Sequence, residues 1–238
     1  MYSTLIKLAF LVAGAISYYV SFTPPNPAPT KEDRIYDGQL FDRIVRNLSI
    51  VTKTAVVISF TCEFLVVAAV GFPHAFSEHR ILPMLCPHNM PDPDLMASVH
   101  PSFGFGIAFM FVGLWIRFWC FKTLGMLFTF EVTTRPSHRL VVTGPYAYVR
   151  HPSYVGGVLQ IGGLLLAHFS PAGWNRQCEI MTTPGGWAVS AYVGLALFSF
   201  MSWWKRGIVE DELLGKRFGS EWDRYCADVP CRFIPGIY

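Results

Sequence analysis

The chain has 238 residues, 52% of them hydrophobic and 15% charged, with a mean hydropathy of +0.37. That composition excludes an ordinary soluble domain and points to an integral membrane protein. The net charge of +3 is small and spread over several segments, so it offers no basic face for nucleic acid.

Five apolar runs follow in order: Ser3 to Phe22, Ser49 to Phe72, Phe103 to Phe121, Ser153 to Ser170 and Gly186 to Trp204. About 20 helical residues cross roughly 30 Å of hydrocarbon, and lipid offers backbone amides no partner outside the helix. The predicted fold is therefore all-α, a polytopic membrane bundle of about five transmembrane helices with a cytosolic amphipathic helix at its C-terminal end. A secretory signal peptide is the alternative for the first run, because Lys7 precedes an apolar stretch with small residues at Ala13 and Ala15. Charge placement argues against it. Lys31, Arg34, Arg43 and Arg46 follow the first run, Lys122, Arg135, Arg139 and Arg150 follow the third, and Lys205, Arg206, Lys216, Arg217, Arg224 and Arg232 fill the tail, whereas the intervening loops hold Arg80 and Arg176. With the N-terminus outside and the C-terminus cytosolic, every loop obeys the positive-inside rule.

Between the runs lie a linker with Pro24, Pro25, Pro27 and Pro29 and a second Pro-rich loop from Pro83 to Pro101. Residues 1–102 read as N-terminal membrane helices and loops, and residues 103–238 as the part that carries chemistry. The cysteines at 62, 86, 120, 178, 226 and 231 form no Cys-x-x-Cys pair. They are expected to be mostly free thiols, with neither a disulfide framework nor a zinc site. His74, His79, Cys86 and His88 cluster in the second loop, but a five-residue interval does not stack on one helical face, and they read as ordinary loop residues.

The informative half begins at residues 122–150, too polar to span and too apolar to float free, which places them on the cytosolic membrane face. Arg150-His151-Pro152-Ser153-Tyr154 then precedes a run carrying Gly156, Gly157, Gly162 and Gly163. Those glycines admit either a closely packed helix or a ligand. In the tail, Arg206, Glu210, Leu214, Phe218 and Trp222 recur every four residues, so one helical face carries two charges and then an apolar stripe. Arg206 and Glu210 are either a solvated pair or the lining of a cavity, in which the arginine holds an anion and the carboxylate a cation or hydrogen-bond donor.

This ordered set resembles the isoprenylcysteine carboxyl methyltransferases from about Leu114 to Tyr238. It comprises Leu124-Gly125 with Phe128-Thr129, His138-Arg139-Leu140-Val141, Gly144-Pro145-Tyr146, Arg150-His151-Pro152-Ser153-Tyr154, Arg206, Glu210-Asp211-Glu212, Phe218-Gly219, Tyr225 and Ile234-Pro235. The resemblance implies S-adenosyl-L-methionine as cofactor and a prenylated protein C-terminus, farnesyl or geranylgeranyl cysteine, as methyl acceptor, at an endoplasmic reticulum membrane with the site facing the cytosol. It places His138, Arg139, Leu140, Val141, Tyr146, His151, Pro152, Ser153, Tyr154 and Glu210 at the cofactor, and Arg206 and Arg117 at the substrate. Glu131 and Thr133 stand where the family often has an amide-bearing cofactor contact.

The chemistry suits those residue types. The cofactor carries a carboxylate, an ammonium, a sulfonium and an adenine, which call for a cation, an anion and flat walls, supplied by His151, Glu210, Tyr146 and Tyr154. A carboxylate nucleophile is already ionised near neutral pH, so no general base and no metal are expected. Positioning is what remains, and it can supply roughly 7–11 kcal/mol of a barrier; an arginine fork positions a carboxylate by bidentate hydrogen bonding. Alternative readings are an amino-lipid N-methyltransferase, which two arginines near the acceptor would oppose, an NADPH-dependent sterol or enone reductase, and an inactive membrane scaffold.

Overall fold

A computed structural model describes residues 1–30, 40–76, 78–133 and 139–236. The helices run in chain order as α1 (Tyr2–Ser21), α2 (Leu40–Gly71), α3 (Glu78–Leu85), α4 (Pro93–Ala97), α5 (Pro101–Leu124), α6 (Pro152–His168), α7 (Trp174–Gln177), α8 (Gly185–Phe218) and α9 (Ser220–Asp228). Local chemistry sets several ends. The Asp92 carboxylate accepts the amides of Asp94 and Leu95 to start α4, with Pro93 in its first turn. Pro152 opens α6, and Gly219, at φ 52°, breaks α8 from α9 in a backbone region that only glycine enters freely. The four-residue stripe of the tail is therefore not one continuous helix: Trp222 lies on α9, and still packs with Leu214 and Phe218.

Among the described residues, four helical stretches are long and apolar enough to cross a membrane: Tyr2–Ser21, Leu40–Gly71, Pro93–Leu127 and Gly185–Phe218. Large apolar side chains such as Ile16, Phe105, Trp115 and Leu197 stand exposed along them, as lipid-facing positions would. The remaining expected span, α6, has 17 residues, and at 1.5 Å per residue covers about 25 Å. Protein rather than lipid surrounds it, since most of its positions are buried. Its glycines are packing sites: a Cβ at Gly156 would lie 2.7 Å from Arg117 Cγ and 2.9 Å from the Gly113 carbonyl, and one at Gly163 would lie 2.5 Å from the Gly106 carbonyl. Gly162 alone of the four faces open space.

The chain divides into two compact units. One comprises Met1–Val20, Thr52–Val112 and Leu159–Ala196, the other Ser21–Val51, Gly113–Val158 and Leu197–Tyr238. The first is held by buried polar contacts. Lys7 Nζ lies 3.6 Å from Glu63 Oε1, both side chains being fully buried, and donates to the Met96 and Ala172 carbonyls at 2.8 and 2.6 Å. His168 Nδ1 meets the other Glu63 oxygen at 2.8 Å. Gln160 Nε2 donates to Ser17 Oγ at 3.0 Å and to the Met110 carbonyl at 2.9 Å. A disulfide joins Cys86 to Cys178 with Cα atoms 4.5 Å apart, an exception to the expectation of mostly free thiols, which Cys62, Cys120, Cys226 and Cys231 meet. Cysteines 92 residues apart carry no spacing signature, so pairing was not readable locally.

A buried ion loses its partner at high cost, about 3–5 kcal/mol. Lys7→Met alone is therefore expected to lower the thermal unfolding midpoint of the detergent-solubilised protein sharply, and Lys7→Met combined with Glu63→Gln to recover most of the loss. Equal midpoints for the single and double variants would show that charge pairing is not what matters there.

Candidate functional site

Among the described residues, the contacts of the candidate site given below lie within the second unit. Its frame is the junction where residues 150–154 turn into α6. The Arg150 amide donates to the Cys231 carbonyl at 3.1 Å and the His151 amide to the Arg232 carbonyl at 2.8 Å, so the C-terminal segment runs alongside. Pro152 then starts the helix. Across from it α8 brings Arg206, Gly207, Glu210 and Asp211 round on successive turns, and Gly207 leaves room for the close approach: a Cβ there would meet the Phe233 ring at 2.7 Å and His151 Cδ2 at 3.3 Å.

The ionisable groups converge. Glu210 Oε1 accepts from Arg206 Nε and from the Tyr154 hydroxyl, each at 2.8 Å, while Oε2 lies 3.3 Å from His151 Nδ1. His151 Nε2 stands 2.8 Å from Asp211 Oδ1, and Asp211 Oδ2 accepts from Arg232 Nε at 2.8 Å with Arg150 Nη1 at 3.6 Å. With a carboxylate at each ring nitrogen, His151 is satisfied only when both nitrogens carry protons. Burial disfavours the imidazolium, but hydrogen bonds and charges from Asp211 and Glu210 outweigh it and raise the His151 pKa above its ordinary value of 6.5.

Aromatic rings form the wall beside these ions. Tyr154 stacks on His151 (centroids 5.5 Å apart, planes at 14°) and on Trp203 (6.1 Å, 8°). Phe233 lies 5.6 Å from the His151 ring and 5.3 Å from that of Trp204. Gly157 is what lets Trp203 approach α6, since a Cβ there would lie 2.7 Å from the indole.

Arg206 is only 4% exposed, so the solvated-pair reading fails. Its Nη1 donates to the Phe130 carbonyl and sits 3.0 Å from Asp42 Oδ1 on α2. Arg117 is also buried, but its donors go to the Ser21 carbonyl (2.8 Å) and to the carbonyl and hydroxyl of Ser153 (both 3.1 Å), under the rings of Phe22, Phe121 and Phe130.

The structure thus gathers His151, Tyr154, Glu210 and Arg206 into one hydrogen-bonded group, with Ser153 one contact away through Arg117. Tyr146 sits in the turn Gly144–Ala147; its carbonyl accepts from the Tyr225 hydroxyl at 2.8 Å, and burial, with Cys120 beside it, pushes its own hydroxyl well above the usual tyrosine range. Leu140 packs on the Trp222, Tyr225 and Val229 cluster, Val141 is half-buried and Arg139 exposed. His138 lies outside the described residues. Glu131 is buried and gripped by Arg46, with Nε to Oε1 at 2.5 Å and Nη2 to Oε2 at 3.3 Å.

Comparison with known sequences covers part of this site, the segment with His151 and Tyr154, and ends before Arg206 and Glu210. Residues 106–172 match the model of the isoprenylcysteine carboxyl methyltransferase (ICMT) family. The protein-S-isoprenylcysteine O-methyltransferase of Schizosaccharomyces pombe is 28% identical over 126 residues, 52% of this chain and 46% of the relative. Two delta(14)-sterol reductases are similar too: erg24B of Aspergillus fumigatus, 25% identical over 120 residues (45% of this chain, 23% of the relative), and that of Ascobolus immersus, 28% over 107 residues (45% and 21%). The chain therefore spans about a quarter of the reductases and about half of the methyltransferase. No solved structure matches.

Asp42, Asp211, Arg232 and Phe233 were missed from the sequence. Asp211 has a readable signal, because it follows Glu210 directly and flanking residues on a helix straddle a ring placed between them. Asp42 has none, since it is 164 positions from Arg206 by the numbering.

The His151 charge makes stability pH-dependent with a definite sign. Its folded pKa is raised, so its contribution is complete below about 6.5 and is lost as pH rises through the folded value. The melting-temperature gap between the wild type and His151→Gln should be widest near about pH 6 and narrow towards about pH 9; a gap constant with pH would exclude His151 as the titrating group.

Proposed function

We propose that this protein transfers a methyl group from S-adenosyl-L-methionine to the C-terminal carboxylate of a prenylated cysteine. The observation that carries the reading is the convergence of Arg206, Glu210, His151 and Tyr154, the last two within the residues that match the family. The donor set fits the cofactor: a carboxylate for its ammonium, an imidazolium for its carboxylate, and the Tyr154, Trp203 and Tyr146 rings for its flat and apolar surfaces. When bound, the cofactor supplies an activated methyl on a sulfonium. The chain's residues do the rest.

Arg206 holds the acceptor carboxylate by a fork of hydrogen bonds, and Glu210 fixes the guanidinium so that little order remains to be gained at binding. Arg117 fixes Ser153 and the start of α6, which supports a positioning role beside the acceptor rather than a direct grip. The aromatic wall excludes water, strengthening every charged contact inside. A membrane-embedded site also accepts the prenyl tail, favoured by about 0.8 kcal/mol per buried methylene. The family's cytosol-facing endoplasmic reticulum setting suits such acceptors. A second reading, a reductase acting with NADPH on a sterol, draws on the sterol reductase matches; the small share of those relatives that the chain spans weighs against it.

Purified protein supplied with labelled S-adenosyl-L-methionine should methylate farnesylcysteine or geranylgeranylcysteine and not an amino phospholipid. Loss of a hydrogen bond to a charged group costs about 1.5–3 kcal/mol, roughly 10- to 150-fold. Arg206→Ala is therefore expected to raise acceptor KM by that order with cofactor affinity kept, and Glu210→Ala to weaken cofactor binding by a similar factor. Reversed effects would overturn the assignment of roles, and NADPH consumption with a sterol in place of methyl transfer would overturn the function.

A further inference from the structure

The acceptor arginine already holds carboxylates of its own. Arg206 Nε is taken by Glu210 at 2.8 Å, and Nη1 by the Phe130 carbonyl and by Asp42 at 3.0 Å. A carboxylate grips guanidinium in one of two bidentate ways, across Nε and one Nη or across both Nη atoms. The first requires Glu210 to leave, the second Asp42. Glu210 is bound as well by Tyr154 and His151 and is the carboxylate assigned to the cofactor. Asp42 is the partner whose departure opens a fork while that network stays whole.

We propose that Asp42 is an internal competitor for the acceptor carboxylate: it occupies Arg206 in the free protein, yields it to an incoming acid, and reclaims it when the acid has become an ester. This rests on the methyltransferase reading above and concerns the regulation of the same site. Electrostatics favours the exchange, because Glu210 has His151 as a second cation beside it, whereas Asp42 and an acceptor carboxylate would both press on the Arg206 guanidinium inside a site where Asp42 is 5% exposed and Arg206 4%. The displaced Asp42 is not left without support. It stands in the first turn of α2, where helix amides favour an anion.

Arg46, one turn further along α2, anchors that helix to Glu131, and the adjoining Phe130 carbonyl accepts from Arg206. Asp42 is thereby kept in reach of its place. In the reaction the carboxylate oxygen forms a bond to the methyl carbon as the carbon–sulfur bond breaks, its electron pair remaining on sulfur. The acceptor loses its negative charge in that step. A neutral ester no longer holds Arg206 against an anion at 3.0 Å, so Asp42 returns and the product is released.

The test compares binding of S-farnesylcysteine and of its methyl ester to the full chain in lipid nanodiscs, for the wild type, Asp42→Asn and Asp42→Glu. Asp42→Asn should bind the acid at least about tenfold more tightly, with ester affinity within about twofold of wild type, while Asp42→Glu keeps the wild-type ratio of acid to ester. The ratio is independent of the folded fraction, and Asp42→Glu guards against a misfolded Asn variant. Acid binding that weakens in Asp42→Asn, or acid and ester affinities that shift together, would overturn the proposal. A wild type that methylates farnesylcysteine without an acid-selective gain in Asp42→Asn sinks this inference alone; a wild type that neither binds nor methylates it sinks the functional reading as well.

Discussion

Arg206 carries a permanent charge to a position where 4% of its surface meets solvent, and the arrangement round it follows from that. Taking a guanidinium out of water is tolerable only where anions and carbonyls replace the hydration shell. Glu210 comes from the same helix face one turn on, Asp42 from α2, and the Phe130 carbonyl from the segment after α5. Each draws in further partners. Glu210 recruits Tyr154 and His151, His151 recruits Asp211, and Asp211 recruits Arg232 and Arg150. One buried cation thus ties α2, α6, α8 and the C-terminal segment into a single charged network.

Among the described residues, each compact unit has a buried ionic centre, and the two differ in kind. Lys7, Glu63 and His168 are nearly sealed, with 0%, 0% and 5% of their surfaces exposed, and the Lys7 donors are spent on backbone carbonyls. That arrangement ties helices to loops. Round Arg206, by contrast, Glu210 keeps 21% of its side chain exposed and stacked aromatic rings stand beside the ions. Partial access to a charged group next to a flat apolar wall is what a ligand with charged and aromatic parts needs.

The glycines of α6 show how packing reaches the chemistry. Gly156 lets α5 close in until Arg117 touches the helix, and Gly157 does the same for Trp203. Both hold a side chain that contacts the site, Arg117 through Ser153 and Trp203 through Tyr154. A helix so closely surrounded by protein has little surface left for lipid, in keeping with its short length of 17 residues.

Much was legible in the sequence because it is local. Apolar runs longer than a core helix needs specify membrane spans, Pro152 marks a helix start, and an i, i+4 spacing puts Arg206 and Glu210 on one face. The ordered motifs likewise hold His151, Tyr154, Arg206 and Glu210, which meet in the folded chain. Tertiary structure alone decided which partners those residues meet. Asp42 on Arg206, Arg46 on Glu131, Lys7 on Glu63 and Cys86 on Cys178 each join positions distant in the chain, and no periodicity within a single element encodes such a meeting. The physical reason is that burial makes an unpaired ion or amide costly, so partners are selected by where helices pack, a property of the folded bundle and not of any one segment.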